Sequence, residues 1–347
     1  MPNALLLGYG LDQPSFRHRM LSLVDPLEAA GWSVRCERFP SGRYGLRSWE
    51  RRALLRWADV AVLHQIKLSA LEVRLIAALS RHILFDIDDA IYVRKPRRLG
   101  DPVHDSRWRR LKFAATCRRS DVVVVGNEVL AGVARLTARE IVLLPTSIDT
   151  SAYRATTALG AALVGEVPII AWIGSPENLI YLEMIRPALA RLALRYPGLK
   201  LRVICSEFPE WPEVPIECVA WSSKTEALSL ASAHIGVMPL TDDEWARGKC
   251  AFKLLQYMAA SLPCVASPIG ANTEAVIDGV TGFHAGNCDE WERNLQRLIE
   301  SAELRARFGA RGHARVEERY SMQVYQRNYV ALLSRLAAAK RLTTGGT

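Results

Sequence analysis

Residues 242–282 read DDEWARGKCAFKLLQYMAASLPCVASPIGANTEAVIDGVTG. Lys249, Lys253 and Gln256 fall at i, i+4 and i+7, the spacing of one helix face, and Gly248 stands just before them. A loop that feeds a helix N-terminus exposes backbone N–H groups and the positive end of the helix dipole, a setting that suits phosphate. Two lysines there add point charges for a diphosphate, and Gln256 can hydrogen-bond a ribose hydroxyl. A solvated helix face with two lysines has the same spacing. The residues that follow favour the first reading: Leu262-Pro263-Cys264-Val265-Ala266-Ser267 is a short buried strand, and Gly270-Ala271-Asn272 turns against its end.

The alternation of short apolar runs and helical patterns extends upstream to the N-terminus. Strands are predicted at Ala4–Leu7, Ser33–Glu37, Val60–Leu63, Ile83–Asp86, Val122–Val125 and Ile141–Leu144, with helices at Arg17–Ala30, Ser48–Ala58, Leu68–Ser80, Trp108–Arg118 and Glu128–Thr137. An Ala-, Gly- and Thr-rich break covers 150–167. Strands predicted at Ile169–Ile173, Leu201–Cys205, Ile235–Pro239 and Cys264–Ser267 then alternate with helices at Tyr181–Arg195, Lys224–Ala231 and Phe252–Ala260, and further helices follow near 291–302 and 302–319. Strands too apolar to have a wet face argue for parallel sheets covered by helices. The expected class is α/β, two doubly wound, Rossmann-like domains facing a cleft. The N-terminal domain spans 1–155, a linker 156–168 and the C-terminal domain 169–319; an amphipathic helix and tail over 320–347 can cross back onto the first domain. Ligands in such sheets bind beyond the carboxyl ends of the strands, which makes the cleft the natural site.

Composition narrows the function. The 347 residues are 50% hydrophobic and 23% charged, an ordinary globular balance that excludes disorder and fibrous repeats. No apolar run approaches the ~18–20 residues of a membrane span, and MPNALLLGYG reads as a first strand and not a signal peptide. Seven scattered cysteines, without metal spacing, fit a reduced, cytoplasmic compartment. The net charge of +9 lies wholly in the first half: residues 1–165 hold 25 Lys/Arg against 16 Asp/Glu, and the rest hold 20 of each. Such a basic half can face an anionic partner, whether an acidic or lipid-linked glycan or the headgroups of a membrane's inner face. No nucleic-acid-binding module accompanies the charge, so no nucleic acid is expected.

The 242–282 stretch resembles the donor-binding motif of GT-B glycosyltransferases, particularly glycosyltransferase family 4 (group 1). The likeness lies in LLQYMAASLPCVASPIG, in Glu274 and in Asp278-Gly279-Val280-Thr281-Gly282. Ile170-Ala171-Trp172-Ile173-Gly174-Ser175-Pro176 looks like the strand and glycine turn that open the donor domain, and Pro145-Thr146-Ser147-Ile148-Asp149 like the segment closing the acceptor domain. The resemblance implies a retaining transfer of a sugar from a nucleotide-diphosphate donor to an acceptor hydroxyl, with neither metal nor cofactor required. With it the donor side takes Gly174, Ser175, Cys250, Ala251, Phe252 and Gln256; the Arg and Lys that clamp the diphosphate in the family are missing, since no basic pair follows Gly174, and Lys249 and Lys253 are read as their replacements. The family's two glutamates, eight positions apart, fall here on Gly248 and Gln256. Gln256 can still hold a ribose, Gly248 cannot orient a sugar, and Glu244, one turn upstream, is the candidate substitute. A non-catalytic nucleotide-sugar-binding protein of the same fold is the rival that these departures suggest.

The second constellation is Arg81–Tyr92, RHILFDIDDAIY, whose strand delivers carboxylates to its C-terminal edge. On the resemblance, Asp88 or Asp89 contacts the sugar or the acceptor hydroxyl. A magnesium-dependent phosphatase of haloacid-dehalogenase type would use Asp86 as nucleophile, although Ala90 stands where its motif has threonine. Arg17 and Arg19, after the glycine loop Gly8-Tyr9-Gly10, are placed to grip an acceptor phosphate. That loop is not a dinucleotide fingerprint, since Gln13 stands where the third glycine belongs. Trp108 among Arg107, Arg109 and Arg110 can mark a membrane- or glycan-facing edge. His64, His82, His104 and His234 lack metal-ligand spacing and read as incidental.

Overall fold

The computed structural model describes residues 1–39, 52–101, 103, 105–154 and 168–339. Its first sheet comprises β1 (Asn3–Gly8), β2 (Ser33–Arg38), β3 (Val60–His64), β4 (His82–Ile87), β5 (Val122–Val125) and β6 (Ile141–Leu143), ordered β2-β1-β3-β4-β5-β6. The second comprises β7 (Ile169–Ile173), β8 (Lys200–Cys205), β9 (Ile216–Ala220), β10 (Ile235–Met238), β11 (Cys264–Ala266) and β12 (Gly282–His284), ordered β12-β11-β10-β7-β8-β9. Every pairing within the two sheets is parallel. The chain order reverses beside β1 in the first sheet and beside β7 in the second, and the crevices at those reversals are where such sheets take ligands.

The period of two in the strands explains why both faces are covered. Ala4, Leu6, Val60, Val62, Leu84, Val122 and Val124 belong to one core of the first sheet. Leu5, Leu7, Ala61, Leu63, Phe85, Val123 and Val125 belong to the core on the opposite face. The first of these cores is closed by the terminal helix Met322–Ala338, through Tyr325, Tyr329, Leu333 and Leu336. Its entry is stitched down by Ile148 N–H to the Tyr320 carbonyl and Met322 N–H to the Ile148 carbonyl, both 2.9 Å.

Several predicted elements change at identifiable residues. The helix expected over Arg17–Ala30 is three short pieces, Pro14–Arg19, a 3-10 turn Leu21–Leu23 and Val24–Ala29. Pro26 falls in the first turn of the last piece, where its missing N–H costs nothing. Likewise the expected Tyr181–Arg195 helix is a 3-10 segment Pro176–Met184 followed by an α-helix Arg186–Arg195 with Pro187 in its first turn. The edge strands β9 and β12 are additions to the predicted set. Residues 48–51 of the predicted second helix, His104, most of the 156–168 linker and the 340–347 tail lie outside the described residues.

Candidate active site

A cavity of about 490 Å³ opens between the carboxyl ends of the two sheets. The first sheet contributes Ser15, Arg17 and His18 after β1, Asp88 and Asp89 after β4, and Thr146. From the second come Gly174 and Ser175 after β7, then Lys249, Cys250, Ala251, Phe252, Lys253 and Gln256. All the donor-side residues expected from the sequence, together with Arg17, Asp88 and Asp89, thus line one space.

The helix Phe252–Ala259 begins at Ala251, whose φ of 55° lies in the left-handed region, and no side chain caps it. A non-glycine residue held there costs on the order of 1 kcal/mol, so the turn is maintained by its surroundings. Its N-terminal N–H groups are of the kind a helix leaves without an internal partner, and they lie at the cavity wall. Lys253 Nζ sits 4.3 Å from the centre of the Trp172 ring. Gly174 makes room for it, because a Cβ there would come within 2.9 Å of Lys253 Cε and Nζ. Burial pushes the Lys253 pKa well below its ordinary value, and Lys249 and Lys95 push it the same way. Lys249 Nζ reaches Asn178 Oδ1 at 3.4 Å and lies over the Trp245 and Tyr181 rings. Among the described residues neither Lys249 nor Lys253 forms an ion pair, whereas Lys95 Nζ lies 4.0 Å from a Glu177 carboxylate oxygen, so an anion at the cavity wall would meet two lysines free to face it.

Opposite them, burial raises the Asp89 carboxyl to about 6, Asp88 adding to the rise while Lys249 and Lys95 oppose it. His18 packs against Phe252 across the cleft, ring centres 4.5 Å apart and planes tilted by 43°, and burial, then Arg17, lowers its pKa to about 4 against the pull of Asp88.

The two halves meet closely at one loop. A Cβ on Gly248 would come within 2.5 Å of Ala90 Cβ, and one on Gly126 within 2.3 Å of Cys250 Sγ. Asn127 Nδ2 donates to the Gly248 and Lys249 carbonyls at 3.0 and 3.1 Å. Gly248, where the resemblance has a glutamate, is therefore a packing contact with the turn that carries Asp88 and Asp89.

Two expected site residues are corrected. Arg19 is fully buried and makes two 2.8 Å bonds to Asp86 through Nε and Nη2. It cannot meet an acceptor; its guanidinium neutralises a core carboxylate and also reaches the Leu144 carbonyl and Thr146. Glu244 does not line the cavity: its carboxylate accepts from Arg110 Nη2 at 2.7 Å, a strut between the two halves. The same geometry removes Asp86 as a phosphatase nucleophile. Burial acts to raise the Asp86 pKa, but the Arg19 charge and the bonds from Arg19 and His64 outweigh it and hold the carboxyl well below its usual range.

Residues not expected at the site are His18, Ser15, Glu226 and Trp221, all lining the cavity. Trp221 Nε1 donates to Glu226 Oε2 at 2.8 Å. His64, read as incidental, hydrogen-bonds to the cavity's Ser15. His82 and His234 do have structural partners, the Ala339 carbonyl and the Ile169 N–H. Among the described residues no group of three or more His, Cys, Asp or Glu is placed to hold a metal ion, and no helix is long and apolar enough to cross a membrane.

The loop, glycine turn and helix that carry Gly174, Lys249 and Lys253 lie within a segment of known kind. Residues 168–301 match the family of glycosyl transferases group 1. The two-sheet architecture is the GT-B fold, and the resemblance to group 1 transferases holds over those residues. The chain is similar to Anabaena HepE in complex with UDP-glucose, at 13% identity and a TM-score of 0.70 over 96% of this chain and 99% of that one. It is similar to a sucrose-phosphate synthase from Thermosynechococcus elongatus, at 14% identity and a TM-score of 0.72 over 97% and 100%. A trehalose-6-phosphate structure from E. coli bound with UDP-2-fluoro glucose matches at 12% identity and a TM-score of 0.63 over 97% and 99%. At such identities the likeness establishes the fold. No curated protein matches the chain. The group 1 segment supplies the lysines, the glycine turn and the uncapped helix, while the carboxylates come from the sheet that precedes it.

Proposed function

We propose that this protein is a retaining glycosyltransferase that moves a sugar from a nucleotide-diphosphate donor to an acceptor hydroxyl. One observation carries the reading: Lys249, Lys253 and the uncapped N-terminus of the Phe252–Ala259 helix converge on the same cavity as Asp88 and Asp89 from the other sheet. The diphosphate lies against the lysines and the helix N-terminus, which stabilise the charge that develops as it departs. Gln256 and Glu226 hold the ribose and Trp221 offers a face to the base. The sugar then faces Asp88 and Asp89, and an acceptor enters past Arg17. The matches to group 1 transferases and to structures holding UDP-sugars support this assignment.

The net positive charge of the first half favours an anionic acceptor, a lipid-linked glycan above all. The helix Arg107–Arg119 presents Trp108, 76% exposed, beside Arg107, which suits peripheral contact with the inner face of a membrane from the cytoplasm. Neither metal nor cofactor is needed for the chemistry assigned to these side chains.

Gly248 favours a second reading, a nucleotide-sugar-binding protein without turnover, because the position that orients the sugar in the family is filled here by a packing glycine. Incubating the protein with a panel of nucleotide-diphosphate sugars and candidate acceptors, and assaying free nucleoside diphosphate, separates the two. Release that rises with acceptor supports the transferase. Tight binding without release supports the binder.

A further inference from the structure

Beneath Asp88 lies a chain of hydrogen bonds that the donor-binding chemistry does not use. Ser15 Oγ is 2.5 Å from Asp88 Oδ2 and 2.8 Å from His64 Nε2, and His64 Nδ1 is 2.9 Å from Asp86 Oδ1. Asp86 also takes both Arg19 bonds and a 3.2 Å bond from the Tyr329 hydroxyl. Four donors saturate a carboxylate, so Asp86 is an acceptor only and His64 Nδ1 must carry a proton. Gln65 Nε2 donates to Ser15 Oγ at 3.2 Å and also to Asp88 Oδ1. To do so Gln65 holds a left-handed φ of 55° at the end of β3, a strained conformation for a side chain of its size.

A proton count follows from these distances. The links Asp88–Ser15, Ser15–His64 and His64–Asp86 each need one proton. A neutral His64 supplies one and the Ser15 hydroxyl one. The third sits either on His64, making an imidazolium while Ser15 donates to Asp88, or on Asp88, which then donates to Ser15 while Ser15 donates to His64. The two arrangements differ only by a concerted shift of two protons through the serine. With the third proton missing, two lone pairs face each other at hydrogen-bond distance, and the chain is poised to take a proton up.

We propose that Ser15 and His64 form a proton relay for Asp88, carrying the acceptor's hydroxyl proton away from the cleft as the sugar moves. This rests on the transferase reading of the cavity. As the acceptor oxygen bonds to the anomeric carbon, the bond from that carbon to the diphosphate breaks and its electron pair leaves with the diphosphate. The acceptor proton passes to Asp88, Asp88 returns a proton to Ser15, and the serine's own proton goes to His64 Nε2. The imidazolium so formed lies against the Asp86 carboxylate, Asp88 is charged again, and the proton departs to water after product release. Asp88 is the group that touches substrate; Ser15 and His64 are positioning residues acting through it. The charges bearing on the relay are Asp86, Arg19 and Tyr329 behind it, Asp88 and Asp89 in front, and His18 and Lys249 at the cleft. The Phe16 ring, 5.8 Å from that of His64, covers it on the apolar side.

The test is the resonance of the His64 ring nitrogens, read by NMR on the full chain with labelled histidine. Asp88→Asn should move the His64 Nε2 resonance when Ser15 is present and move it by less than about half as much in Ser15→Ala, since coupling then runs only through space. Ser15→Ala should also lower kcat by about tenfold to a hundredfold with the donor KM unchanged, and Ser15→Thr, which keeps the hydroxyl, should restore most of it. Equal Asp88→Asn shifts with and without Ser15, or undiminished kcat in Ser15→Ala, overturn the relay. A His64 response coupled through Ser15 in a protein that releases no nucleoside diphosphate with any acceptor overturns the transferase reading instead, because the NMR experiment needs no substrate.

Discussion

Gly248 and Ala90 are in backbone-to-backbone contact: a Cβ added to Gly248 would stand 2.5 Å from Ala90 Cβ and 3.0 Å from its nitrogen. This contact joins the loop that launches the Phe252–Ala259 helix to the turn that bears Asp88 and Asp89. The distance between the lysines and the carboxylates is thereby set by two small residues, and the absence of a glutamate at position 248 has a steric cause. Gly248→Ala should destabilise the native protein by about 1–3 kcal/mol, the usual cost of overpacking, measured by denaturant unfolding. Ala90→Gly in the same chain should recover part of that loss, since it removes the nearest clashing atom.

Lys253 should matter to the diphosphate and little to the nucleoside. A charge-assisted hydrogen bond contributes roughly 1.5–3 kcal/mol, so Lys253→Ala should weaken nucleoside-diphosphate binding about tenfold or more while changing nucleoside binding little. Calorimetric titration of both ligands against both proteins reads this directly. An equal loss for the two ligands removes the role assigned to Lys253.

The lowered Lys253 pKa also gives binding a pH dependence. A diphosphate favours the charged ammonium and so raises that pKa, which means that binding takes up a proton whenever Lys253 is partly neutral beforehand. Affinity should fall as the pH rises above the Lys253 pKa of the free protein. Titrations at one alkaline pH in buffers of different ionisation enthalpy should report proton uptake, and Lys253→Ala should abolish that share of it.

Asp89 has the opposite bearing on stability. Its carboxyl is raised from 3.8 to about 6 in the folded chain, so the folded state holds the proton more tightly than the unfolded one. Stability from this group is fully present below about pH 4 and is lost as the pH rises through 6. Asp89→Asn should therefore stabilise the ligand-free protein at pH 8, by about 1–2 kcal/mol for a half-buried site, and have little effect at pH 4. Thermal unfolding at the two pH values tests the sign.

Arg17 and Arg19 should separate cleanly. Arg19→Ala leaves the Asp86 carboxylate buried without its partner and should cost about 3–5 kcal/mol of stability. Arg17→Ala, at the cavity wall, should leave the melting temperature unchanged and raise the acceptor KM. Unfolding curves and acceptor titrations of the two variants distinguish a core ion pair from a ligand contact.

These contrasts mark what a sequence can reveal. Strands such as Val122–Val125 were legible because both faces of a parallel sheet are buried and the run is uniformly apolar. Ile216–Ala220 was not, since an edge strand with half-exposed residues has no such run, and Gly282–His284 is too short to carry a period. Lys249, Lys253 and Gln256 were legible as a site because they share one helix face, and Asp88 and Asp89 because they follow directly on a strand. Arg19 and Asp86 are 67 positions apart and Glu244 and Arg110 are 134 apart, and nothing local distinguishes a buried arginine or a bridging glutamate from a free one. The Ser15–His64–Asp86 chain draws on three segments that only the closed sheet brings together.

The central claim is that a pyrophosphate lies between Lys249, Lys253 and the start of the Phe252–Ala259 helix. Diffraction from crystals soaked with a nucleotide-diphosphate sugar tests it most directly. The account predicts phosphate oxygens within hydrogen-bond reach of Lys253 Nζ and of the backbone N–H groups at Phe252 and Lys253, with the sugar turned toward Asp88. A nucleotide bound elsewhere, or a cavity that stays empty at saturating ligand, would contradict it.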